Sequence, residues 1–428
     1  MDPLTTFSLI FIVTLLLLIS EIEHKVTVAL LAAVISIYFG VSYHLFTIEE
    51  AFHMLDIETL LFIVSSLILF ESLCETRFFE FLSTYIIKKF GVKGASVIYA
   101  LLILATLFSA IAENTITMII MTTMTLNFFR AHKINPCITL SVEGILSNIG
   151  GLFLPISSIP GLIISLKENI SVGEFVTIST PLIMIILLMT ILYYKIFYLK
   201  EQEGVKELRS EIDDPWKIIP NKSVLYKSLF IFVFFLIGVT FSDQLGFSPT
   251  YIALFFATVM FLFSGQNPVT ILSKISWEVP FFVGGFSIFV GSLEKSGLLK
   301  LIGDKLEIFM TMDPLISSFI LLLICGVFSS IIANVSVVLL LIPIVDEIHA
   351  ITGINTHPMY WALIFGSNIG GGLTLFGSIP VLMAVSLAER EGYTITSGYY
   401  MKRVGPLVFL QLLISDIYLI VLQIMGIV

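Results

Sequence analysis

The stretch Ser147-Asn148-Ile149-Gly150-Gly151 recurs unchanged as Ser367-Asn368-Ile369-Gly370-Gly371, 220 positions later. The same offset relates Ser158-Ile159-Pro160 to Ser378-Ile379-Pro380. No insertion is needed to keep this register from about residue 57 to residue 171. Because several matches share one offset, duplication explains them better than coincidence in a chain rich in Ile, Leu and Gly.

The composition is that of a membrane protein. Of the 428 residues, 57% are hydrophobic and only 12% are charged, whereas soluble domains carry about 25% charged residues. Apolar stretches of about 17 to 25 residues, long enough to cross a ~30 Å hydrocarbon core, recur along the chain. We therefore expect an all-α polytopic protein in the lipid bilayer of the cell membrane. Only the loops can express the net charge of −9, so it does not indicate a nucleic-acid partner.

Two apolar stretches are interrupted by polar residues near their middle. Residues 95–129 are apolar except around Glu113-Asn114-Thr115, and residues 315–348 except at Asn334. One helix over 95–129 would be ~50 Å long, and two complete spans would need about 40 residues. Each stretch is therefore predicted to be a re-entrant hairpin of two half-length helices, with its tip near residue 114 or 334. The alternative is a pair of ordinary spans that leaves Glu113 in a solvated turn.

Two further stretches are broken by glycine, serine and proline, near residues 148–161 and 368–380. Non-helical backbone at membrane depth leaves polar groups unpaired, at several kcal/mol each, unless something satisfies them. Half-helix N-termini at these breaks would present positive dipole ends to a ligand, and freed carbonyls would suit a cation. Close helix packing through small residues is the alternative. It explains the glycines but not the asparagines beside them or the later prolines.

The order of the spans predicts ten crossings and inverted repeats. Scaffold spans over residues 1–56 precede a first repeat (57–199), a polar linker (200–226), connecting spans (227–276) and a second repeat (277–428). With the linker in the cytoplasm, all but four of the 22 Lys and Arg residues lie inside, as the positive-inside rule requires. Five crossings separate the two copies, and an odd number inverts one relative to the other.

The residues at these four polar centres are the candidates for a binding site. Amides and hydroxyls suit a site that must bind and release, although Asn114 and Asn334 would also serve as helix N-caps. Na+ is a candidate ion at Asn114, Asn148, Asn334 and Asn368, whose side-chain oxygens would be its ligands. No other metal and no organic cofactor is expected. The candidate substrate- or ion-binding residues are Glu113, Asn114, Thr115, Asn148, Gly150, Gly151, Ser158, Asn334, Ser336, Asn368, Gly370, Gly371 and Ser378.

Two acids within apolar stretches are candidates for proton coupling. Glu113 is at the first tip, where its repeat mate is Ala333, and Glu143 lies five residues before Asn148. A carboxylate in the bilayer core is costly and indicates a functional site, and burial favours its neutral form, so it can bind and release a proton. A proton or Na+ is therefore the expected coupling ion. The sequence has no P-loop, nucleotide fingerprint or visible nucleophile–base pair, so no ATP coupling is visible within this chain and we do not expect an enzyme.

At these residues the chain resembles the ion transporter superfamily. Ser109 to Met118 resembles its hairpin-tip motif and Ser147 to Ile164 its Gly-Gly broken helix, and both recur in the second half. The pattern is most similar to the branch of the arsenite efflux permeases, the melanosomal P protein and bacterial sodium/proton antiporters. Citrate and dicarboxylate symporters are more distant. The chain departs from the branch at Glu113, where Asp is usual, at Ser157 to Gly161, and at Ala333.

The resemblance implies a scaffold domain and a transport domain that moves like an elevator, often in a homodimer, with substrate and cation sites at the tips and breaks. We therefore expect a secondary active transporter of a small ion, with an inorganic anion or oxyanion such as arsenite as the first substrate. Sodium/proton antiport, with Glu113 as the exchanging acid, and di- or tricarboxylate symport are the alternatives. A passive channel or a scaffold without flux would be a different class, and paired broken helices favour an occluded site over an open pore.

Overall fold

The computed structural model describes residues 2–20, 22–89, 95–112, 114–131, 134–199, 214–302, 314–375 and 377–428. Glu113 and residues 200–213 of the predicted linker lie outside these ranges. All regular elements within them are helices. Those of the first half are α1 (Pro3–Ser20), α2 (Lys25–Ser42), α3 (Ile48–His53), α4 (Ile57–Cys74), α5 (Phe78–Lys89), α6 (Ala95–Ser109), α7 (Asn114–Ala131), α8 (Cys137–Gly150), α9 (Ile159–Lys167) and α10 (Val172–Phe197).

The second half repeats the helix pattern of the first. Its helices are α11 (Lys222–Thr240), α12 (Ser242–Leu245), α13 (Pro249–Phe263), α14 (Pro268–Lys274), α15 (Glu278–Lys295), α16 (Pro314–Ser329), α17 (Asn334–Thr352), α18 (His357–Gly370), α19 (Ile379–Arg390), α20 (Ser397–Arg403) and α21 (Gly405–Ile424). Helices α3, α7, α8 and α9 begin 220 positions before α14, α17, α18 and α19, respectively. The first residues of α1, α4 and α6 correspond in the same way to those of α11, α15 and α16, with deviations of one position from this offset. The correspondence of helices thus begins at α1, ahead of residue 57, where the sequence matches start.

Local sequence fixes where several helices begin. At the start of α9 the Ser158 hydroxyl accepts a hydrogen bond from the Gly161 N–H, and Pro160 occupies the first turn. Ser248 before Pro249 and Asn267 before Pro268 play the same part for α13 and α14. Such side chains satisfy N–H groups that lack a partner in the first turn, and proline needs none there. The start of α9 in the first break is therefore encoded locally as well as by packing, whereas Ser378 makes no such cap at α19.

The helices form two bundles. The scaffold bundle consists of α1, α2, α4, α11, α13 and α15, in which α2 packs on α15 and α1, and α4 packs on α13 and α11. The hairpin bundle consists of α6 to α10 and α16 to α21, in which α6 packs on α8, α16 on α18, and α7 and α8 on α19. Contacts of α15 with α17 and of α4 with α9 join the two bundles.

Apolar side chains cover the outside of both bundles, among them Leu16, Leu188, Phe230 and Leu262, which are 59%, 59%, 63% and 70% exposed. Six of the described helices are long and apolar enough to cross a membrane, namely α2, α4, α10, α11, α17 and α21, and the pair α14 and α15, bent by 59°, makes a seventh. The predicted ten crossings also count α1, α13 and the two broken helices, and treat α17 as a hairpin arm. That number stays a prediction.

The hairpin arms divide each interrupted stretch near its middle, close to the predicted tips. The arms have 15 and 18 residues in the first hairpin and 16 and 19 in the second. At ~1.5 Å per residue they are ~22 to ~28 Å long, against ~15 Å for half the hydrocarbon core. Each arm is thus about half of its interrupted stretch but longer than half of the hydrocarbon core. The arms must tilt or extend beyond the core if both tips are to lie near its midplane.

Candidate functional site

A cavity of about 420 Å³ lies between the two bundles, and the predicted polar centres converge on it. From the hairpin bundle it is lined by the first residues of α7 and α17 and by the broken segments beside α9 and α19. Its polar lining on this side is Asn114, Thr115, Asn148, Ser157, Ser158 and Asn334. Both hairpin tips and both breaks therefore border one space.

The scaffold bundle closes the cavity with a mostly apolar wall. The wall includes Ile63, Leu67 and Phe70 of α4 and Val279 and Phe282 of α15, and its hydroxyls are those of Ser66 and of Ser276 between α14 and α15. Such a wall can pass a bound molecule without holding it through strong polar contacts. The amide side chains of the lining lie on the hairpin side.

The charged side chains that line the cavity belong to helix ends of the scaffold bundle. Lys25 forms an ion pair with Glu278 at 2.8 Å. Lys274 forms an ion pair with Glu75, and Glu71 lies on the same lining as Lys274. The lysines are thus held by carboxylates at one mouth of the cavity. Among the described lining residues, no Lys, Arg or His lies at the tips.

The first tip is tied to the first break by short polar contacts. The Ser109 hydroxyl lies 2.5 Å from both the Asn114 Oδ1 atom and the Ser147 carbonyl oxygen. Ser157 donates to the carbonyl of Ala110 at 2.8 Å. Asn114 is only 7% exposed. The residues on both sides of Glu113 are therefore buried against α8, unlike the solvated turn of the alternative hypothesis.

The second tip has the same construction with different side chains. Ser329 donates to the Ser367 carbonyl at 2.6 Å. Both residues lie 220 positions after Ser109 and Ser147, which form the equivalent contact at the first tip. Thr374 donates to the carbonyl of Ser330. Asn334 is half-buried, and its Oδ1 atom accepts from the adjacent Val335 N–H at 3.1 Å. Neither tip asparagine caps its helix through the N2 or N3 amide in the described contacts.

The two breaks bond to each other across the centre of the protein. The Asn148 amide donates to the Ser378 hydroxyl at 2.9 Å and accepts from it at 3.1 Å. The Ser158 hydroxyl donates to Asn368 Oδ1 at 2.8 Å. Since Asn368 and Ser378 are the repeat mates of Asn148 and Ser158, each break uses its asparagine to hold the serine of the other. A reciprocal contact of this kind requires a local two-fold relation between the halves.

The glycines act through close packing and not through unusual backbone angles. A Cβ atom on Gly150 would lie 2.2 Å from the carbonyl oxygen of Thr106, and one on Gly370 would lie 2.3 Å from the backbone of Gly326. Gly151 and Gly371 have ordinary helical angles. Each helix is broken after its glycines and not at them. The close-packing hypothesis therefore describes the glycines, which let α8 and α18 touch the hairpins, and the broken-helix hypothesis describes the residues that follow them.

The electrostatics of the cavity come from helix ends. Helices α7, α9, α17 and α19 all begin at its lining. Each N-terminus carries the equivalent of about half a positive charge together with free N–H groups. With no cationic side chain at the tips, this arrangement favours a ligand of low negative charge.

The structure separates the predicted site residues into groups. Asn114, Thr115, Asn148, Ser158 and Asn334 line the cavity, whereas Asn368 and Ser378 stand behind it and hold lining residues. Gly150, Gly151, Gly370 and Gly371 pack helices together. Ser336 is fully buried away from the cavity lining, and its hydroxyl lacks a hydrogen-bond partner among the described residues. Glu113 lies outside the described residues.

Glu143 is fully buried in the hairpin bundle and does not line the cavity. Its Oε1 atom accepts a hydrogen bond from Thr125 of α7 at 2.7 Å, and its Oε2 atom has no partner among the described residues. Glu143 and the tip asparagines therefore belong to different places in the bundle.

Sequence reasoning missed a second buried acid, Asp416 of α21. It is 1% exposed, and neither of its carboxylate oxygens has a hydrogen-bond partner in the described residues. One acid inside the apolar stretch 405–424 was the available signal. The apolar wall of the cavity was missed too, because cavity-facing and lipid-facing side chains of α4 and α15 are chemically alike.

A second cavity, of about 600 Å³, lies at the other end of the interface between the bundles. Its lining includes Asp56, Lys167 and Lys295. Ile156 and Leu162 of the first break line both cavities. These two apolar side chains thus stand between the cavity with the tips and the opposite opening.

Comparison with known proteins gives relatives along almost the whole length. The chain is 24% identical over 415 residues to the uncharacterized transporter Rv2684 of Mycobacterium tuberculosis, covering 96% of each chain. It is 22% identical over 381 residues to the arsenical pump membrane protein of Escherichia coli, covering 87% of this chain and 88% of that one. It is 21% identical to the human P protein, covering 95% of this chain and 58% of that one.

Among solved structures, the Alcanivorax borkumensis YdaH transporter has a similar fold. The TM-score is 0.65 at 12% identity, and the match covers 94% of this chain and 99% of that chain. The predicted all-α polytopic transporter fold is confirmed by this similarity. The family model described as "citrate transporter" matches residues 15–366 and 321–424. The chain therefore belongs to the citrate transporter family of membrane transporters, within the superfamily that its tip and Gly-Gly motifs resemble.

Proposed function

We propose that this protein is a secondary active transporter that moves a small anion across the cell membrane, driven by a proton or sodium gradient. One observation carries the proposal: both hairpin tips and both breaks border a single cavity between the bundles. Asn114, Asn148 and Asn334 supply amides there, and four helix N-termini supply partial positive charge. An oxyanion of low charge, such as arsenite, suits donors of this kind without a lysine or arginine.

The placement of the cavity supports alternating access. It has the tips on one wall and apolar scaffold side chains on the other, so the hairpin bundle can slide along the scaffold with its ligand. Ile156 and Leu162 separate this cavity from the second one. A channel needs a continuous polar path, and two apolar side chains between the cavities oppose one. An elevator motion of the hairpin bundle, in each protomer of a homodimer, is the mechanism we propose.

A carboxylate is the second candidate substrate. The family model is described as a citrate transporter, and a volume of about 420 Å³ leaves room for an organic anion larger than an inorganic oxyanion. A citrate trianion would have to share its charge with co-bound Na+, because the tips carry no described cationic side chain. Sodium/proton antiport through Glu113 is the remaining alternative.

Two measurements on the purified protein test the proposal. A thermal-shift screen against arsenite, phosphate, sulfate, citrate and a monocarboxylate, with and without Na+, identifies the ligand class, since a ligand that binds only the folded state raises the Tm. Counterflow in proteoliposomes then follows the labelled ligand. We expect trans-stimulated exchange. Flux without trans-stimulation would indicate a channel, and no flux with any ligand would contradict transport.

A further inference from the structure

We propose that Glu143, positioned by Thr125, is the proton-binding site that couples transport to a pH gradient, and that it is separate from the substrate cavity. The proposal rests on the proposed function in one respect, because it assumes that a substrate is carried. It adds the place in the fold where the proton binds and the residue that orients it.

The geometry around Glu143 is that of a single acid with one donor. Thr125 Oγ1 donates to Glu143 Oε1 at 2.7 Å, and Glu143 Oε2 is buried without a partner in the described part of the chain. A permanently ionised carboxylate with one neutral donor would be very unfavourable at full burial. A bound proton removes the charge, and its release is made feasible by the Thr125 hydrogen bond.

The surroundings of Glu143 hold no described counter-charge. From α10 the facing ionisable group is the phenol of Tyr194, which Thr139 holds at 2.8 Å, and Tyr99 of α6 and Tyr399 of α20 stand near that phenol. The single ionisable residue of α7, Arg130, pairs with Glu391 at the helix end. Ionisable residues of α18 and α19 are also confined to helix ends: His357 and Tyr360, and Glu389 and Arg390. The proton is therefore the species that neutralises Glu143.

Two buried hydroxyls lie on α7 between this site and the first tip. Thr117 and Thr122 lie on α7 between Asn114 and Thr125, are fully buried, and have hydroxyls without partners among the described residues. Glu143 itself lies eight residues, ~12 Å, along α8 from Gly151, whose Cβ position falls against Asn114. Proton and substrate thus occupy two places on the same pair of helices. Protonation of Glu143 converts –COO⁻ and H3O+ into –COOH and water, and release on the other side of the membrane reverses it.

The test uses proteoliposomes and the substrate found in the ligand screen. Glu143→Gln keeps the neutral form permanently, so we expect counterflow within about twofold of wild type and accumulation under a pH gradient reduced to the level without a gradient. The infrared signal of buried carboxyls that titrate, measured on the purified protein without any substrate, should also lose the contribution of one carboxyl relative to wild type. Normal gradient-driven accumulation by Glu143→Gln, or an unchanged infrared titration, would overturn the inference.

Thr125 supplies a second and milder test. Thr125→Val removes the donor to the carboxylate, and we expect the pH profile of accumulation to move by about one unit towards higher pH, the equivalent of one hydrogen bond. Thr125→Ser should restore the profile. Thr123→Val on the exposed side of α7, where the hydroxyl donates to the carbonyl of Ile119, is the matched control. If Thr125→Val leaves the pH profile unchanged, the positioning role of Thr125 is contradicted. If the wild type shows no counterflow, the transport function is contradicted, but the infrared measurement still tests whether Glu143 binds a proton.

Discussion

Asn148 and Ser378 exchange two hydrogen bonds at the centre of the protein, at 2.9 and 3.1 Å, although 230 positions separate them in the chain. The mirror contact is the bond from Ser158 to Asn368 at 2.8 Å. These contacts join the end of α8 to the start of α19 and the end of α18 to the start of α9. They hold together the two breaks that border the cavity, so the site is built by both halves of the chain.

The bond between the breaks should appear as an energetic coupling. Asn148→Ala and Ser378→Ala each leave the other side chain buried without its partner, so we expect the double variant to be less destabilised than the sum of the two single variants. Coupling between contacting residues is typically about 0.5–3 kcal/mol. Unfolding in detergent measures the cycle. The pair Asn148→Ala with Thr240→Ala, an exposed hydroxyl on α11, should be additive; equal additivity in both cycles would refute the coupling.

The close packing of the broken helices makes a sharp prediction for glycine. Gly150→Ala and Gly370→Ala each place a methyl group 2.2–2.3 Å from backbone atoms of α6 or α16, which cannot move aside as a side chain would. We expect both variants to lose several kcal/mol of stability or to fail to accumulate. Gly398→Ala, where nothing lies within 4 Å of the new methyl group, should behave as wild type. Well-folded Gly150→Ala protein would show that α8 and α6 are not in contact.

The tip asparagines should control affinity. Asn114→Ala and Asn334→Ala each remove an amide from the cavity lining, and a lost hydrogen bond to a charged ligand weakens binding by about 1.5–3 kcal/mol, or ~10- to 150-fold in Kd. Titration of the thermal shift with ligand measures this. Asn221 caps α11 and does not line the cavity, so Asn221→Ala controls for a general loss of stability. Unchanged affinity in both tip variants would mean that the tips are structural.

The unpaired acid on α21 should be a cost to stability. Asp416 is buried with neither oxygen bonded in the described structure, so Asp416→Leu removes a desolvated polar group and is expected to stabilise the protein by about 1–3 kcal/mol. The Tm in detergent is the measurement. Asp346→Asn, which breaks a pairing with Lys167 and Tyr360, should instead lower the Tm. A lower Tm for Asp416→Leu would show that Asp416 has a polar partner.

The ends of the broken and hairpin helices could be read from the sequence, because asparagine, glycine and proline are conspicuous in an apolar chain. The predicted tips near residues 114 and 334 coincide with the first residues of α7 and α17. The breaks near 148–161 and 368–380 lie where α8 gives way to α9 and α18 to α19. Local signals such as Ser158 with Pro160 carry this information, and they act over only a few residues.

Other features depend on tertiary packing and were not predictable from the sequence. The stretch of α4 facing the cavity, with Ile63 and Leu67, has the same chemistry as a lipid-facing stretch. The close approach of Gly150 to Thr106 depends on how α8 meets α6. The role of Ser378 also emerged only with its partner, because the bond to Asn148 spans the two repeats.

The inverted arrangement of the two halves is the claim on which the shared site depends, and sidedness measures it directly. In a variant without Cys74, Cys137 and Cys325, single cysteines at positions 89 and 300, after α4 and α15, are labelled with an impermeant maleimide in intact cells and in inverted vesicles. We expect position 300 to react in intact cells and position 89 only in inverted vesicles. Labelling of both positions from the same side would contradict the inversion and, with it, the shared transport site.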